Sequence, residues 1–308
     1  MLRNLATKLI LVVERIRRRF ITFHTRPMVD ADMRYTGKET PEDALCAIVI
    51  QGPIRHEDDF TLESVKLYRR HYPAATIILS TWEGEEVSGF KSMEDGRFEI
   101  VFSKKPSIRG IHNINMQIVT TKAGTEKAFE KGLRYTLKTR TDQRMYGINT
   151  LAFMQHLLEF FPVLGTEKQK KRVISIESGT SKTWPYHFSD LFMFGDSSDM
   201  QQYWNADLTP ERPATSNGFF LPEGYLLTEF LRKAGWQVKN TMADFLKALG
   251  ERCIVIDNEA ADVYWPKYAA IWREYRLKNY FSPTFEISFK VWLNDAFIPV
   301  QKEKTLQV

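Results

Sequence analysis

The sequence predicts an α/β protein, a mixed and largely parallel sheet flanked by helices, with an amphipathic helix at its N-terminus. Three observations predict it. Aliphatic runs at residues 44–50, 75–79 and 98–102 each end in turn-forming or polar residues, and a segment of helical period separates the first two. With 308 residues, 43% of them hydrophobic, the chain can bury one large core. The first 26 residues differ from the rest, carrying seven Lys and Arg against the single acid Glu14.

In that N-terminal segment Leu2, Leu5, Leu9, Val12, Val13, Ile16 and Phe20 recur at spacings of three and four, an apolar stripe with arginines beside and opposite it. Its longest unbroken apolar run, 9–13, is too short to span a bilayer, and no secretory cleavage site follows. The segment is expected to lie on an anionic membrane surface. Packing of the stripe on the domain or on a second subunit also fits the pattern, as does an RNA-binding arm. The seven cations exceed the net +5 of the whole chain, so the remainder is close to neutral. A near-neutral body argues against a nucleic-acid partner, which needs a basic face. Cys46 and Cys253 sit inside apolar runs and read as buried, reduced strand residues, and neither has the paired spacing of a zinc site. Both features fit a cytoplasmic protein held peripherally at the membrane's inner face.

The run 44–50 leads into Gln51-Gly52-Pro53, and 58–72 then reads as a helix with Leu62, Val65 and Leu67 among its apolar positions. A glycine after a strand permits close backbone approach to a ligand, and equally makes a plain turn. No Gly-Lys-Ser/Thr and no G-x-G-x-x-G follows, so the loop is not a known phosphate fingerprint. The second run ends in Ser80-Thr81-Trp82. Asn113, Asn115 and Gln117 open the next helix, expected to reach about residue 131, and offer amides suited to a pyrimidine edge, a ribose or a sugar hydroxyl. Solvated amides on a helix surface would look the same.

Residues 133–144, Leu-Arg-Tyr-Thr-Leu-Lys-Thr-Arg-Thr-Asp-Gln-Arg, begin as an alternating strand and pass into dense charge. Tyr135, Leu137 and Thr139 then point one way, and Lys138, Arg140 and Asp142 the other. Two cations and a carboxylate suit a diphosphate with its metal, Asp142 holding a hard divalent cation and Lys138, Arg140 or Arg144 neutralising phosphate oxygens. An exposed edge strand laced with salt bridges fits the spacing as well.

Further on, a strand is expected at 172–178, followed by Trp184-Pro185-Tyr186-His187-Phe188-Ser189-Asp190 and an aromatic run to Gly195. An acid and a histidine among bulky apolar residues suit a general base, with Asp190 the first candidate and Glu223 and His187 behind it. A helix cap for Asp190, a capping acid for Glu223 and a structural role for His187 are the plainer readings. Helices are expected at 222–233, 242–249 and 260–277, the last aromatic with Tyr264, Trp265, Tyr268, Trp272 and Tyr275, and a strand at 253–257.

Taken together, Ile50-Gln51-Gly52-Pro53-Ile54, Ser80-Thr81-Trp82, Asn113-x-Asn115-x-Gln117, Lys138-Thr139-Arg140-Thr141-Asp142-x-Arg144, Ser189-Asp190-Leu191-Phe192-Met193-Phe194-Gly195 and Pro222-Glu223-x-Tyr225-Leu226 resemble the WavE-type lipopolysaccharide synthesis proteins, over roughly residues 45–235. These are treated as glycosyltransferases with a GT-A-like nucleotide-binding domain. Beside the basic helix and linker over 1–35, which lie outside the resemblance, one catalytic domain is expected over 36–308, with a nucleotide-sugar half (36–150) and an acceptor half (151–308). The resemblance implies a nucleotide-sugar donor bound by Gln51, Gly52, Pro53, Thr81, Asn113, Asn115, Gln117, Lys138, Arg140, Asp142 and Arg144, and a lipid-linked lipopolysaccharide-core, O-antigen or capsule glycan as acceptor. Asp142 takes the place of the aspartate-rich motif that binds Mn²⁺ or Mg²⁺ in GT-A enzymes, but as one acid where that motif has a pair. Arg140 beside it offers charge of the kind a metal supplies elsewhere. A nucleotidyl- or phosphotransferase with the same charged cluster, and a membrane-tethered scaffold without turnover, are the competing readings.

Overall fold

A computed structural model describes residues 2–17, 26–211, 221–266 and 285–305. Its first element is α1 (Leu2–Arg17), the expected amphipathic helix. Two short helices, α2 (Pro41–Ala44) and α4 (Ser88–Lys91), and one long one, α3 (Phe60–His71), alternate with strands β1 (Cys46–Gln51), β2 (Thr76–Trp82) and β3 (Phe98–Ser103). α5 (Ile114–Glu130) then leads to β4 (Tyr135–Arg140), β5 (Arg144–Met145) and α6 (Thr150–Phe160). The second half supplies β6 (Val173–Ile176), β7 (Met193–Asp196), α7 (Ser197–Trp204), α8 (Pro222–Lys233), α9 (Met242–Arg252), β8 (Cys253–Ile256), α10 (Asn258–Ala261) and β9 (Val263–Tyr264).

Seven strands form one sheet in the order β3-β2-β1-β4-β7-β6-β8, and β5 pairs with β9 in a separate ribbon. β1, β2, β3 and β4 are parallel, as are β6 and β8, while β7 runs antiparallel to both its neighbours. A mostly parallel seven-stranded sheet with helices on both faces is GT-A-like. Strands buried on both faces need unbroken apolar runs rather than alternation, which is why 46–50 and 253–256 read so clearly.

One face is covered by α3 and α6: the Tyr68 hydroxyl accepts from the Met145 amide at 2.9 Å, and Gln155 Nε2 lies 3.3 Å from Cys46 Sγ. The other is covered by α5 and α7. Gly124 lets α5 lie close, since a Cβ there would stand 2.4 Å from Val49 Cγ1 and 3.1 Å from Ser80 Cβ. Ser80 Oγ accordingly donates to the Thr120 carbonyl at 2.6 Å, and Thr136 and Ser197 hydroxyls meet at 2.7 Å.

Cys46 and Cys253 are buried free thiols that open β1 and β8. The aromatic helix expected over 260–277 does not form at its start. α10 closes at Ala261 with Asp262 in the left-handed region at φ 46°, and Val263–Tyr264 pairs with β5 instead. Tyr268, Trp272 and Tyr275 lie outside the described residues. Among the elements the sequence does not announce are the helices α6 and α7, the antiparallel strand β7 and the β5–β9 ribbon. No helix among the described residues is long and apolar enough to cross a membrane.

Candidate functional site at the sheet switch point

Strand order reverses direction at β1. From β1 the chain steps outward to β2 and β3, and α5 then carries it back across to β4 on β1's other side. At such a point the connections leave in opposite directions, opening a crevice at the carboxyl ends of the two central strands. Here that crevice lies between the ends of β1 and β4, where Gln51 pairs in register with Arg140 and Val49 with Lys138. Gln51, Ser80, Lys138 and Arg140 share the face under α5 and α7, because strand neighbours in register point the same way.

The first turn after β1 is shaped for close approach. Gly52 has φ +118°, donates its N–H to the Ser80 carbonyl at 3.0 Å, and a Cβ on it would reach 3.0 Å from Thr141 Oγ1. Pro53 beside it is exposed. Gln51 is 3% exposed, and its amide oxygen accepts from Thr120 Oγ1 at 2.8 Å. Gln117, one turn nearer the start of α5, has a buried amide nitrogen without a hydrogen-bond partner among the described residues. α5 runs from the carboxyl end of β3 to the amino end of β4, which puts that donor at the crevice edge of the sheet.

After β4 the chain turns so that Asp142 folds back on Arg140. Nε and Nη2 of Arg140 donate to the two carboxylate oxygens at 2.7 and 3.0 Å, and the guanidinium stacks 5.0 Å from the Trp265 ring centre. The pair is partly solvent-exposed, unlike the strand behind it. A divalent cation at Asp142 would have to displace that fork, so the carboxylate as held does not fit the metal expected there.

Deeper on the same face lies a second cluster. Lys138 is fully buried, its ammonium donating to the Asp190 backbone carbonyl and lying 4.8 Å from the Trp204 ring centre. Burial pushes its pKa down to about 7, against the opposing pull of Asp190. Asp190 sits on the loop before β7, whose Ser189 and Phe192 carbonyls face the Ser175 hydroxyl at 2.5 and 3.0 Å. Asp190 is 3% exposed, and its carboxylate makes no hydrogen bond among the described residues.

Glu223, in the first turn of α8 behind Pro222, approaches His187 Nε2 at 3.5 Å. His187 Nδ1 lies 2.6 Å from the Gly179 carbonyl, an acceptor only, so in the neutral ring Nδ1 carries the hydrogen and Nε2 offers a lone pair to Glu223. Burial, and then the Asp190 charge, raise the Glu223 pKa to about 7. Burial likewise lowers that of His187. Tyr203 adds a buried hydroxyl with no hydrogen-bond partner among the described residues, and its pKa is raised by burial and by the charges of Asp190 and Glu223. Nothing in its sequence context marks it, since Tyr-Trp at the end of a helix is ordinary core. Asp190, Glu223, His187 and Lys138, separated by up to 85 residues, thus form one acid–base cluster, and Lys138 also feels the charges of Arg140 and Asp142.

Several residues expected at the ligand serve the fold instead. Asn115 is 1% exposed, its amide donating to the Ile108 and Thr209 carbonyls at 3.0 and 2.7 Å while its oxygen accepts from the Thr209 N–H at 2.8 Å. Arg144 is 1% exposed and donates to Ser64 Oγ and to the Phe60 and Met28 carbonyls, so phosphate cannot reach it. Thr81 points to the face opposite Ser80 and is fully buried. Asn113 caps α5 in the left-handed region, exposed. Lys138, too deep for a ligand, holds the Asp190 loop rather than a phosphate.

No curated protein matches the chain. Residues 46–231 match the family model described as WavE lipopolysaccharide synthesis, a span from β1 to within the last turn of α8 that takes in the crevice, the Arg140–Asp142 pair and the acid–base cluster. The match covers more than half of the chain, so this protein belongs to the WavE family and takes part in lipopolysaccharide synthesis.

Proposed function

We propose that the protein is a glycosyltransferase that moves a sugar from a nucleotide-sugar donor to a hydroxyl of a lipopolysaccharide-core, O-antigen or capsule glycan. The observation that carries this reading is the pairing of two unlike sites on one sheet face: a guanidinium at the switch-point crevice, and behind it a carboxyl, Glu223, that burial tunes toward neutral pH. Transfer from a nucleoside phosphate needs both, a cation for the departing phosphate and a base for the incoming hydroxyl.

In this mechanism the donor's phosphates lie over the ends of β1 and β4, against the Gly52 turn and Arg140, with Gln117 reaching the nucleoside. The acceptor oxygen attacks the anomeric carbon while the bond from that carbon to the phosphate oxygen breaks. Glu223 takes the hydroxyl proton, and Arg140 stabilises the charge left on the nucleotide. Glu223 suits the base better than Asp190 because it is the more exposed of the two. Asp190, its backbone carbonyl held by Lys138, keeps the Glu223 pKa high. Direct displacement of this kind inverts the anomeric centre. Arg140 supplies the countercharge by exchanging the Asp142 carboxylate for a phosphate, so the reading needs no protein-held metal.

The test is a thermal-shift screen of the protein against UDP-, GDP-, CMP- and dTDP-sugars and against nucleoside triphosphates, with and without Mn²⁺ or Mg²⁺, repeated on Arg140→Met and Asp142→Asn. Stabilisation by one nucleotide class, lost in Arg140→Met, is expected. Stabilisation by nucleoside triphosphates alone would transfer the weight to nucleotidyl or phosphoryl transfer, and none by any nucleotide to a scaffold.

A further inference from the structure

Helix α1 presents an apolar face that the rest of the described chain leaves open. Leu9, Val12 and Ile16, at i, i+3 and i+7, fall on one side and are 65%, 51% and 76% exposed. Lys8 and Arg15, seven residues apart, run alongside that face. Three large aliphatics on one face of a helix rarely stay in water, and a rim of cations suits an anionic partner. A lipid surface matches both features, since the stripe can sink to the acyl boundary while Lys and Arg stems reach the headgroups. A groove on a protein would supply apolar contact without a matching array of anions.

We propose that α1 docks on an anionic lipid bilayer, lying in its interface and tethering the domain to it. The tether is mechanically sound. Immediately after it, Arg144 Nη1 donates to the Met28 carbonyl at 2.6 Å, the Tyr146 hydroxyl donates to that of Pro27 at 2.7 Å, and Arg26 Nε reaches Asp262 at 2.8 Å. Force on α1 is therefore passed to α3 and the β5–β9 ribbon. Residues 18–25 span at most about 28 Å when fully extended, so the domain works close to the lipid surface. The inference uses no step of glycosyl transfer.

The experiment is flotation of the full chain with vesicles of phosphatidylglycerol and phosphatidylethanolamine in equal parts, against vesicles of phosphatidylcholine. Wild-type protein should float with the anionic vesicles and stay behind with the neutral ones. Lys8→Gln with Arg15→Gln should weaken binding about thirtyfold, at roughly one decade of affinity for 1.4 kcal/mol and about 1 kcal/mol per cation, and Leu9→Ser with Val12→Ser and Ile16→Ser should abolish it. Unchanged melting temperature and nucleotide-sugar binding in both variants would show that they fold and separate this result from the fate of the transferase reading. No flotation, equal flotation with neutral vesicles, or a dimer in solution that the triple variant dissociates would overturn the proposal, the last by assigning the face to a second copy.

Discussion

Replacing Glu223 by Gln should stabilise the protein and disable it, and the stabilisation should grow with pH. Burial and the neighbouring Asp190 raise the Glu223 pKa from 4.5 to about 7. Below pH 4.5 the carboxyl is neutral in folded and unfolded chains alike, so its folded environment costs nothing. Between 4.5 and 7 the unfolded chain ionises first and stability falls, and above 7 the full penalty remains. At about 1.4 kcal/mol per pH unit the penalty reaches roughly 3 kcal/mol at pH 8, against about 1 kcal/mol at pH 5. Gln is neutral throughout, keeps the shape, and can donate to His187 Nε2. The variant should therefore melt higher than wild type by about 2 °C at pH 5 and about 6 °C at pH 8, taking on the order of 2 °C per kcal/mol for a chain of this size. Transfer activity, followed as nucleotide release, should drop by about 10²- to 10⁴-fold. A melting-temperature gap that is the same at both pH values would refute the assignment of Glu223 as a buried carboxyl titrating near neutrality, and undiminished activity would refute its role as base.

Asp190→Asn removes one of the charges that hold the Glu223 pKa up, so the acidic limb of the pH–rate profile should move to lower pH, measured as kcat/KM between pH 5 and 8. Arg140→Met should weaken nucleotide-sugar binding about ten- to a hundredfold in calorimetric titration, the loss of charge-assisted hydrogen bonds worth about 1.5–3 kcal/mol, and wild-type turnover should persist in a chelator. Gly52→Ala forces a side chain into φ +118° and against Thr141 Oγ1, and should cost about 1–3 kcal/mol in urea denaturation while raising the KM for donor. Asn115→Ala should cost a similar amount, about 1–3 kcal/mol, through the hydrogen bonds linking α5 to Thr209, yet leave the choice of nucleotide unchanged.

The fate of the charged stretch 133–144 shows where local pattern stops being informative. Its period of two correctly put Lys138 and Arg140 on one face of a strand, because side-chain direction is a property of the strand itself. Whether each cation meets solvent depends on what covers that face. α7 brings Trp204 over Lys138 and seals it, while the strand's end leaves Arg140 at the crevice. Arg144, two residues past Asp142, is captured by α3 and by the Met28 carbonyl, and no local signal distinguishes it from Arg140. The same holds for Asn115, satisfied by Thr209 from 94 residues away.

From the sequence alone came the α/β class, the N-terminal helix with its apolar stripe and arginines, and the positions of β1 to β4, β6 and β8, because apolar runs, the alternation in β4 and the turn residues between strands are local consequences of strand structure. β7 escaped because an aromatic run before Gly195 carries no alternation, and its antiparallel direction follows only from the partners it finds in β4 and β6. The tertiary structure alone decided which polar residues face a ligand and which fasten the fold, and it alone joined Lys138, His187, Asp190 and Glu223. Burial and neighbouring charge set the protonation of such groups, and both are supplied by segments distant in the chain.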